Sequence, residues 1–368
     1  MRRAIAICLA PTNLQAQRLS ALQATFAAAC NQVAPTALEH RCTNRVKLHH
    51  LAYYPLRERF PQLGAQMACN AIARVARSFK AHRANGREWA LIAFRANTAV
   101  HVDARTFRLR EHRVSLFTLD GREHVAMRLG SFQRGYLSRG TVKEADLLVR
   151  RGVWYLHVVL ELDEVNAAMG SAVLGVDLGE NVTAATCGGT LYGGGELRDK
   201  RDRFMTFRAR LQRNGSQSAR QLLARVSGRE FRHVRHVNHE ISAGIVAEAA
   251  RNGSGAIILE NLTNIRSRIK MGKRMRTRLH RWAWRQLQTF VEYKAMERGI
   301  AVCYVAPAYT SQTCSVCGEI GKRSRHRFSC EMCGIFAHSD RNAARNLAKI
   351  GARTLAPTGD VMRPHVAA

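Results

Sequence analysis

The sequence predicts a multidomain α+β protein in which an N-terminal β-barrel domain, interrupted by helices, precedes a domain of alternating strands and helices. Three observations indicate this arrangement. Apolar residues recur at helical spacing over residues 12–34 and about 64–84. The spacing shifts towards alternation from Glu88 to Glu161, as strands require. From residue 171 onward, short apolar runs alternate with long amphipathic segments, which predicts strands followed by helices.

The composition narrows the class of partner. The chain has 368 residues, with 58 lysines and arginines against 27 aspartates and glutamates, and its formal net charge is +31. Because 46% of the residues are hydrophobic, the chain is expected to fold and not to form a basic disordered tail. The charge favours a polyanion, most often nucleic acid, although a basic ribosomal or membrane-surface protein has a similar balance. No apolar run reaches the ~20 residues that span a bilayer, so we expect no membrane partner.

The first nine residues resemble the start of a signal peptide for a short stretch, but polar residues interrupt the apolar run. We predict a strand there instead, with Ile5, Ile7 and Leu9 on one face. The ten cysteines are then expected in a reducing compartment, where paired cysteines usually bind metal. We therefore expect a cytoplasmic protein.

The strands of the N-terminal domain are predicted from β-branched residues and one turn signal. Asp120-Gly121 marks a hairpin turn between two of these strands. Residues 147–149 and 153–162 are apolar on both faces and are expected to be central strands. The other predicted strands are Val100–Val102, Arg113–Leu116 and His124–Met127.

The C-terminal domain follows the order β-β-β-α-β-α-β-α, which is the plan of an RNase H-like domain. A basic pair of helices is predicted over residues 197–240, which hold twelve arginines or lysines and four acidic residues. Ser339 is placed to cap the last helix, predicted at about 340–350. The predicted strands lie at 172–177, 182–187, around 190–192, 256–259 and 300–305, and a further helix at 282–298.

Two CxxC pairs give the most specific local signal: twelve residues separate the pair Cys314 and Cys317 from the pair Cys330 and Cys333. A glycine follows each pair and allows a tight knuckle, so the spacing predicts one structural Zn²⁺ with four thiolate ligands. A disulfide or a chance pairing is the alternative. Four cations between the pairs, in residues 322–327, either contact a phosphate backbone or form a solvated loop. The other six cysteines are scattered and are expected to be small core residues.

Three separated carboxylates form the second signal. Asp177 ends the first strand of the domain, Glu260 ends a later strand, and Asp340 opens the last helix. In an RNase H-like sheet the first and fourth strands are neighbours, so these carboxylates are expected to meet. Like charges repel at short range, and two Mg²⁺ ions would relieve that repulsion and activate a water for phosphodiester hydrolysis. For each carboxylate taken alone, an ordinary strand-end or N-cap residue is the favoured interpretation, and only the three together favour catalysis.

The motifs together resemble those of the TnpB family. The C-terminal signature is carried by Pro307–Gly318, Cys330–Gly334 and His338–Asn346, and two further motifs by Gly175–Gly179 and Leu259–Leu262. The strong resemblance covers residues 172–350. The N-terminal half resembles the family's wedge domain only in its general pattern of strands and turns. Ala306 and Ser339 depart from the common Asn and Ala of the family.

The resemblance implies a transposon-encoded, RNA-guided DNA endonuclease of the lineage ancestral to type V CRISPR effectors. Such a protein binds a guide RNA from the transposon end, recognises a short motif beside double-stranded target DNA, and cuts both strands. By this resemblance Asp177, Glu260 and Asp340 hold two catalytic Mg²⁺ ions in a RuvC-type site, and a monomer is favoured. The resemblance also implies a bacterial or archaeal protein associated with the nucleoid. A nuclease-silent RNA-guided repressor and a guide-free DNA-binding transposition accessory protein remain alternatives.

The resemblance also divides the chain into segments, from a split wedge-like domain to a flexible tail. These are a wedge-like first strand (1–11), a helical recognition insertion (12–86), the rest of the wedge-like domain (87–170), the first part of a RuvC-like nuclease domain (171–309), an inserted zinc ribbon (310–337), the last RuvC-like helix (338–351) and the tail (352–368).

Residues 266–285 hold nine arginines or lysines and no acid, which favours contact with a polyanion over a solvated helix face. At least one of Trp282 and Trp284 is expected in the core. His101, His124 and the histidines of residues 232–239 are interpreted as surface residues and not as metal ligands. The predicted nucleic-acid-binding residues are Arg266, Arg268, Lys270, Lys273, Arg274, Arg276 and Arg278.

Overall fold

A computed structural model describes residues 1–163, 165–166, 170, 172–193, 195–263, 284–306 and 310–355. The chain divides into two compact units, Met1–Asp163 and Glu164–Ala368. The seven segment boundaries drawn from the sequence remain predictions. In the part of the chain that the structure describes, no helix combines the length and apolar character needed to cross a membrane.

The first unit contains a seven-stranded antiparallel sheet in the order β2-β6-β7-β1-β5-β4-β3. The two outermost strands, β2 and β3, are joined by residues 104–106 alone, so the ends of the sheet meet and the sheet is nearly closed into a barrel. The predicted barrel-like sheet is thus confirmed. The strands are β1 (Arg2–Ala10), β2 (Val100–Asp103), β3 (Phe107–Leu109), β4 (Arg113–Thr118), β5 (Gly121–Arg128), β6 (Gly140–Arg150) and β7 (Val153–Leu162).

Strand β1 lies in the middle of this sheet, between β7 and β5. Ile5 pairs with Val158 and Ile7 with Leu156, and all four side chains are buried in one core. The alternation that predicted a strand at the N-terminus is therefore the alternation of core-facing residues. A short helix, α4 (Ser131–Leu137), follows β5.

Three helices are inserted between β1 and β2: α1 (Asn13–Glu39), α2 (Arg45–Arg59) and α3 (Ala65–Ala84). A capping box between Thr12 and Gln15 starts α1, which continues through Pro35 because Val33, Ala34 and Ala37 are buried. Helix α2 was not predicted from the sequence. Its buried face is only Leu48, Ala52 and Leu56, so it lacks a clear apolar stripe.

The second unit is built on a five-stranded sheet in the order β10-β9-β8-β11-β12. Strands β8, β11 and β12 run parallel, whereas β9 and β10 are antiparallel to their neighbours. The predicted order of strands is found, and the second strand is shorter than predicted. The strands are β8 (Ala172–Asp177), β9 (Ala184–Thr186), β10 (Leu191–Tyr192), β11 (Ser254–Glu260) and β12 (Ala301–Val305).

Helices α6 (Gln217–Arg251) and α7 (Trp284–Met296) cover one face of this sheet, and α8 (Ser339–Leu355) covers the other. Helix α5 (Gly195–Asn214) packs on α6. Leu174, Val176 and Leu259 point into a core shared with α6 and α7. Ile258 and Leu347 form a smaller core on the side of α8. Alternate residues of β8 and β11 thus face α8, which decides where their last side chains point.

The cysteine module, residues 310–338, contains a three-stranded antiparallel sheet of β13 (Lys322–Ser324), β14 (Arg327–Ser329) and β15 (Phe336–His338). The predicted cap of the last helix is wrong. Ser339 is the first residue of α8, and its hydroxyl donates to the carbonyl oxygen of Arg325. The helix also continues to Leu355, so residues 352–355 are helical and not part of a flexible tail.

Candidate active site and cysteine module

Asp177 and Glu260 are the last residues of two adjacent parallel strands. The register pairs Ile258 with Gly175 and Leu259 with Val176, so Asp177 and Glu260 follow at the next position of each strand. Since Val176 and Leu259 point towards α6 and α7, the side chains of Asp177 and Glu260 lie on the opposite face, with α8.

A glycine allows α8 to approach this face closely. A Cβ atom added to Gly175 would collide with the carbonyl oxygen of Ala344 and lie 2.5 Å from the nitrogen of Ala348. Asp340 is one helical turn before Ala344, and the tight contact brings it to the same end of the sheet as Asp177. The three predicted carboxylates therefore share one region of the second unit.

The electrostatics of Asp177 are those of a crowded carboxylate. Burial, together with the negative charges of Glu260 and Asp340, raises the pKa of Asp177 well above its usual value, against the opposing effect of Arg323. Burial also raises the pKa of Glu260, although the Thr310 hydroxyl donates to its Oε1 atom at 2.7 Å and Arg323 acts in the same direction as Thr310. Such a set of carboxylates is costly to ionise without a cation, and oxygen ligands of this kind suit Mg²⁺.

Asp340 has protein partners of its own. Arg323 approaches its Oδ1 atom at 3.1 Å, the Ser339 hydroxyl donates to the same atom at 3.2 Å, and His338 Nδ1 lies 4.0 Å from Oδ2. Arg323 comes from the basic loop between the cysteine pairs. That loop is therefore more than a solvated stretch of chain, because one of its cations reaches the carboxylate cluster.

An open cleft of about 670 Å³ leads to Asp340. Its wall combines the turn after β8 with the tip of the β13–β14 hairpin and carries three arginines. The lining residues are Gly179, Glu180, Asn181, Val182, Arg198, Arg323, Arg325, His326 and Asp340. A cationic wall opposite a carboxylate suits a phosphate-containing substrate.

The four predicted cysteines lie close enough to bind one metal ion. The Sγ atoms of Cys314 and Cys333 are 3.6 Å apart, and those of Cys317 and Cys330 are 3.5 Å apart. Thiolates around a tetrahedral zinc ion, with Zn–S bonds of about 2.3 Å, are about 3.8 Å from one another. The donor set and its spacing fit a closed structural site.

The local backbone favours the thiolate form of Cys314 and the turns that a metal site needs. Although burial opposes ionisation, backbone N–H groups of Cys317 and Val316 lower the pKa of Cys314 to about 6. Gly318 and Gly334 have φ values of +88° and +70°, which allow the turn after each pair. The positive φ values thus explain why a glycine follows each CxxC pair.

Asparagines of α8 hold the cysteine module against the sheet. Asn342 and Asn346 both donate to the carbonyl oxygen of Thr313, each at 2.7 Å, and the amide of Ser315 donates to Asn342. Because Asp340 lies on the same helix, the module and the carboxylate share one support.

The outcome differs among the other residues singled out in the sequence. Arg266, Arg268, Lys270, Lys273, Arg274, Arg276 and Arg278 lie outside the described residues. Trp284 is buried, as expected of at least one tryptophan. The interpretation of His101 as a surface residue is wrong: His101 is buried and contacts Arg77, Glu144 and Asp146. Val100 and Val102 face the core, so the His101 side chain lies on the other face of β2, where α3 covers it and Arg77 lies 2.8 Å from its Nε2 atom.

Sequence reasoning missed three supporting residues. Thr310 bonds the Glu260 side chain, Gln288 donates to the Glu260 carbonyl at 2.9 Å, and Arg323 pairs with Asp340. Thr310 lies within the signature 307–318, so its role beside Glu260 could have been predicted from that motif. No local pattern singles out Gln288, which acts from α7 across 28 residues.

Comparison with known proteins agrees with these observations. The family model described as Cas12f1-like, TNB domain, matches residues 284–347, which include the four cysteines and Asp340. The chain is 32% identical over 223 residues to the CRISPR-associated endodeoxyribonuclease Cas12f1 of Sulfoacidibacillus thermotolerans, covering 54% of this chain and 50% of that protein. It is 35% identical over 159 residues to the TnpB-like protein MJ0751 of Methanocaldococcus jannaschii, covering 42% of this chain and 57% of that protein.

The fold also has a counterpart among solved structures. The cryo-EM structure of a Cas12f1–sgRNA–target DNA complex contains a chain that aligns with a TM-score of 0.65 at 16% identity, covering 92% of this chain and 83% of that one. The chain spans about half the length of the curated relatives it matches. The resemblance to the TnpB family that the C-terminal motifs predict is confirmed by these relatives, and residues 284–347 match the Cas12f1-like TNB domain.

Proposed function

We propose that this protein is an RNA-guided DNA endonuclease that hydrolyses phosphodiesters at a RuvC-type site formed by Asp177, Glu260 and Asp340. One observation carries the proposal: two carboxylates end adjacent parallel strands, and a helix packed directly on Gly175 adds the third. The raised pKa of buried Asp177 supports it, because such a cluster needs cations when ionised.

The three carboxylates would hold two Mg²⁺ ions, which supply an activated water and stabilise the leaving oxygen of the phosphodiester. Other residues of the chain would position the carboxylates and the substrate. Thr310 and Gln288 fix Glu260 through its side chain and its backbone. Arg323 and the other cations of the cleft would orient a phosphate towards the carboxylates.

The proposed partners are a guide RNA from the transposon end and double-stranded target DNA beside a short motif. Two relatives support them: an endodeoxyribonuclease and a Cas12f1 solved with RNA and target DNA. Helices α5 and α6 carry much of the positive charge of the second unit, and Lys200, Arg203 and Arg229 surround Phe204 and Phe207. Cations and aromatic rings in one place suit a nucleic-acid strand.

The cysteine module is proposed to be a zinc ribbon, with Cys314, Cys317, Cys330 and Cys333 binding one structural Zn²⁺. The S–S separations and the lowered pKa of Cys314 support it. The wedge and recognition roles of the first unit, a monomeric state and a cytoplasmic, nucleoid-associated location complete the proposal. Basic residues 266–285 are proposed to contact nucleic acid.

A plasmid-interference assay with the native locus tests the enzyme. We expect the wild type to eliminate a plasmid that carries the guide-matched target, and Asp177→Asn to leave the plasmid intact. Glu111→Gln, an exposed acid in the first unit, is the matched control and should retain interference. Equal activity of the wild type and Asp177→Asn would refute a nuclease at this site.

Two further outcomes identify the alternatives. A nuclease-silent repressor would lower expression from the target plasmid without removing it, and it would do so equally with Asn at position 177. A guide-free accessory protein would cut or bind DNA after RNase treatment of the purified complex. RNA sequencing of the complex purified from its locus would show whether one guide species accompanies the protein.

A further inference from the structure

A second cluster of metal-ligand side chains lies beside the carboxylates. His326, His338 and Asp340 each offer one ligand atom, and these atoms all lie within 4.8 Å of one another. Two backbone contacts fix the cluster. His338 pairs in register with Arg327 across β14 and β15, and the amide of Ser339 donates to the carbonyl oxygen of His326 at 2.9 Å.

The imidazole of His338 turns its unprotonated nitrogen towards Asp340. The backbone N–H of Asp340 donates to His338 Nδ1 at 3.3 Å, so Nδ1 is the unprotonated nitrogen. The ring of His326 stacks on the ring of His338, with centroids 5.6 Å apart. A long hydrogen bond of this kind is weak, and a cation can replace it.

The two oxygens of Asp340 face different partners. Oδ1 accepts from Arg323 and Ser339, whereas Oδ2 faces His338. One carboxylate oxygen is therefore turned towards the imidazoles. The cluster is also accessible, because His326 is exposed and both His326 and Asp340 line the open cleft.

We propose that His326, His338 and Asp340 form a second metal site that takes a borderline divalent ion such as Zn²⁺ or Co²⁺ in competition with Mg²⁺. Two imidazoles and one carboxylate are a donor set for first-row transition ions, whereas Mg²⁺ prefers oxygen ligands alone. The competition rests on the proposed nuclease function, because Asp340 serves both sites. The binding itself does not depend on that function.

Binding is tested by equilibrium dialysis of Co²⁺ against the full-length protein with its cysteine module already loaded with zinc. We expect one additional Co²⁺ per chain, and His326→Ala and His338→Ala should each weaken it about tenfold or more. His236→Ala, at an exposed histidine of α6, should bind as the wild type does. Equal Co²⁺ affinity in the wild type and both cluster variants would overturn the site.

Folding of the variants is checked by their zinc content, and His338→Gln replaces His338→Ala if that variant loses its zinc. Competition is tested by adding Zn²⁺ to cleavage reactions at constant Mg²⁺. The wild type should be inhibited at a concentration about tenfold lower than His326→Ala. If both are inhibited alike while dialysis shows the site, competition is wrong. If the wild type does not cleave at all, the proposed nuclease fails and dialysis alone decides the metal site.

Discussion

The guanidinium of Arg323 contacts the carboxylate of Asp340 at 3.1 Å and joins the cysteine module to the first turn of α8. Asp340 is nearly buried in this pair, whereas Arg323 is partly exposed. The chain thereby brings a positive charge of its own to a group of three carboxylates. The positive charge of Arg323 also opposes the raised pKa values of Asp177 and Glu260.

Arg323→Ala is expected to destabilise the metal-free protein, because it removes the cation that faces the carboxylates. The thermal midpoint of the second unit should fall by a few degrees, for a loss of about 1–3 kcal/mol from a partly buried charge-assisted bond. Mg²⁺ should restore part of the difference, because it neutralises the same carboxylates. Scanning calorimetry with and without Mg²⁺ measures both effects.

Arg327→Ala is the matched control for this measurement, since Arg327 is an exposed cation of the same hairpin. If Arg327→Ala lowered the midpoint as much as Arg323→Ala, the pair with Asp340 would not be the cause.

Asp177→Asn is expected to have opposite effects on stability and activity. Burial and two neighbouring negative charges oppose ionisation of Asp177, so a neutral amide of the same size relieves that cost in the metal-free protein. We expect the metal-free variant to melt about 3 °C higher than the wild type while cleavage is lost. A lower melting temperature without divalent ions would contradict the crowded-carboxylate interpretation.

The sequence predicted the cluster because its three acids occupy positions that topology brings together. Asp177 and Glu260 each follow an apolar run, and parallel pairing alone makes them neighbours. The cysteine pairs were equally predictable, because CxxC-Gly carries its geometry within a few residues. Such features are local in sequence or depend only on strand order.

What the sequence did not reveal depends on contacts between distant segments. The pair of Arg323 and Asp340 forms only when the cysteine module folds back on α8. The sequence of residues 322–327 does not indicate which of its four cations contacts a carboxylate. Helix α2 was missed because only three of its fifteen residues are buried. The burial of His101 follows from the packing of α3 against β2, a contact between segments that alternation within the strand does not disclose.

Cys330→Ser is expected to lose the metal of the cysteine module. The wild type should contain about one zinc per chain, and the variant much less, because a structural zinc site needs all four ligands. Cys303→Ser, in β12 and outside the cluster, should keep its zinc. Elemental analysis of both purified proteins measures this, and full zinc retention in Cys330→Ser would exclude the four-thiolate site.

Gly175→Ala is expected to disrupt the approach of α8 to β8. The added methyl group would meet the backbone of Ala344 and Ala348, which cannot move without shifting the helix that carries Asp340. We expect a loss of about 1–3 kcal/mol or more in unfolding free energy, together with loss of cleavage. Urea unfolding followed by tryptophan fluorescence measures the stability.

Gly135→Ala is the control for that substitution, since a Cβ atom at this position of α4 meets nothing within 4 Å. It should be neutral or stabilise by about 0.5–1 kcal/mol, as expected of alanine in a helix. A comparable loss in both variants would mean that the close packing of α8 is not what Gly175 serves.

Asp146→Asn is expected to lower the stability of the first unit in a pH-dependent manner. Burial opposes ionisation of Asp146, but the bond from His101 at 3.3 Å and the cations Arg74 and Arg77 outweigh it and lower its pKa.

A lowered pKa in the folded state stabilises the fold above the unfolded value of about 3.9, and this contribution disappears as the pH falls through the lower folded value. Because 39% of the Asp146 side chain is exposed, we expect about 1 kcal/mol at pH 7 and a difference from the wild type that shrinks progressively as the pH falls below the unfolded value. Urea midpoints measured over a series of pH values from 7 downward record the change, with Glu111→Gln as the exposed control. A difference that does not shrink on acidification would show that Asp146 acts by packing and not by its charge.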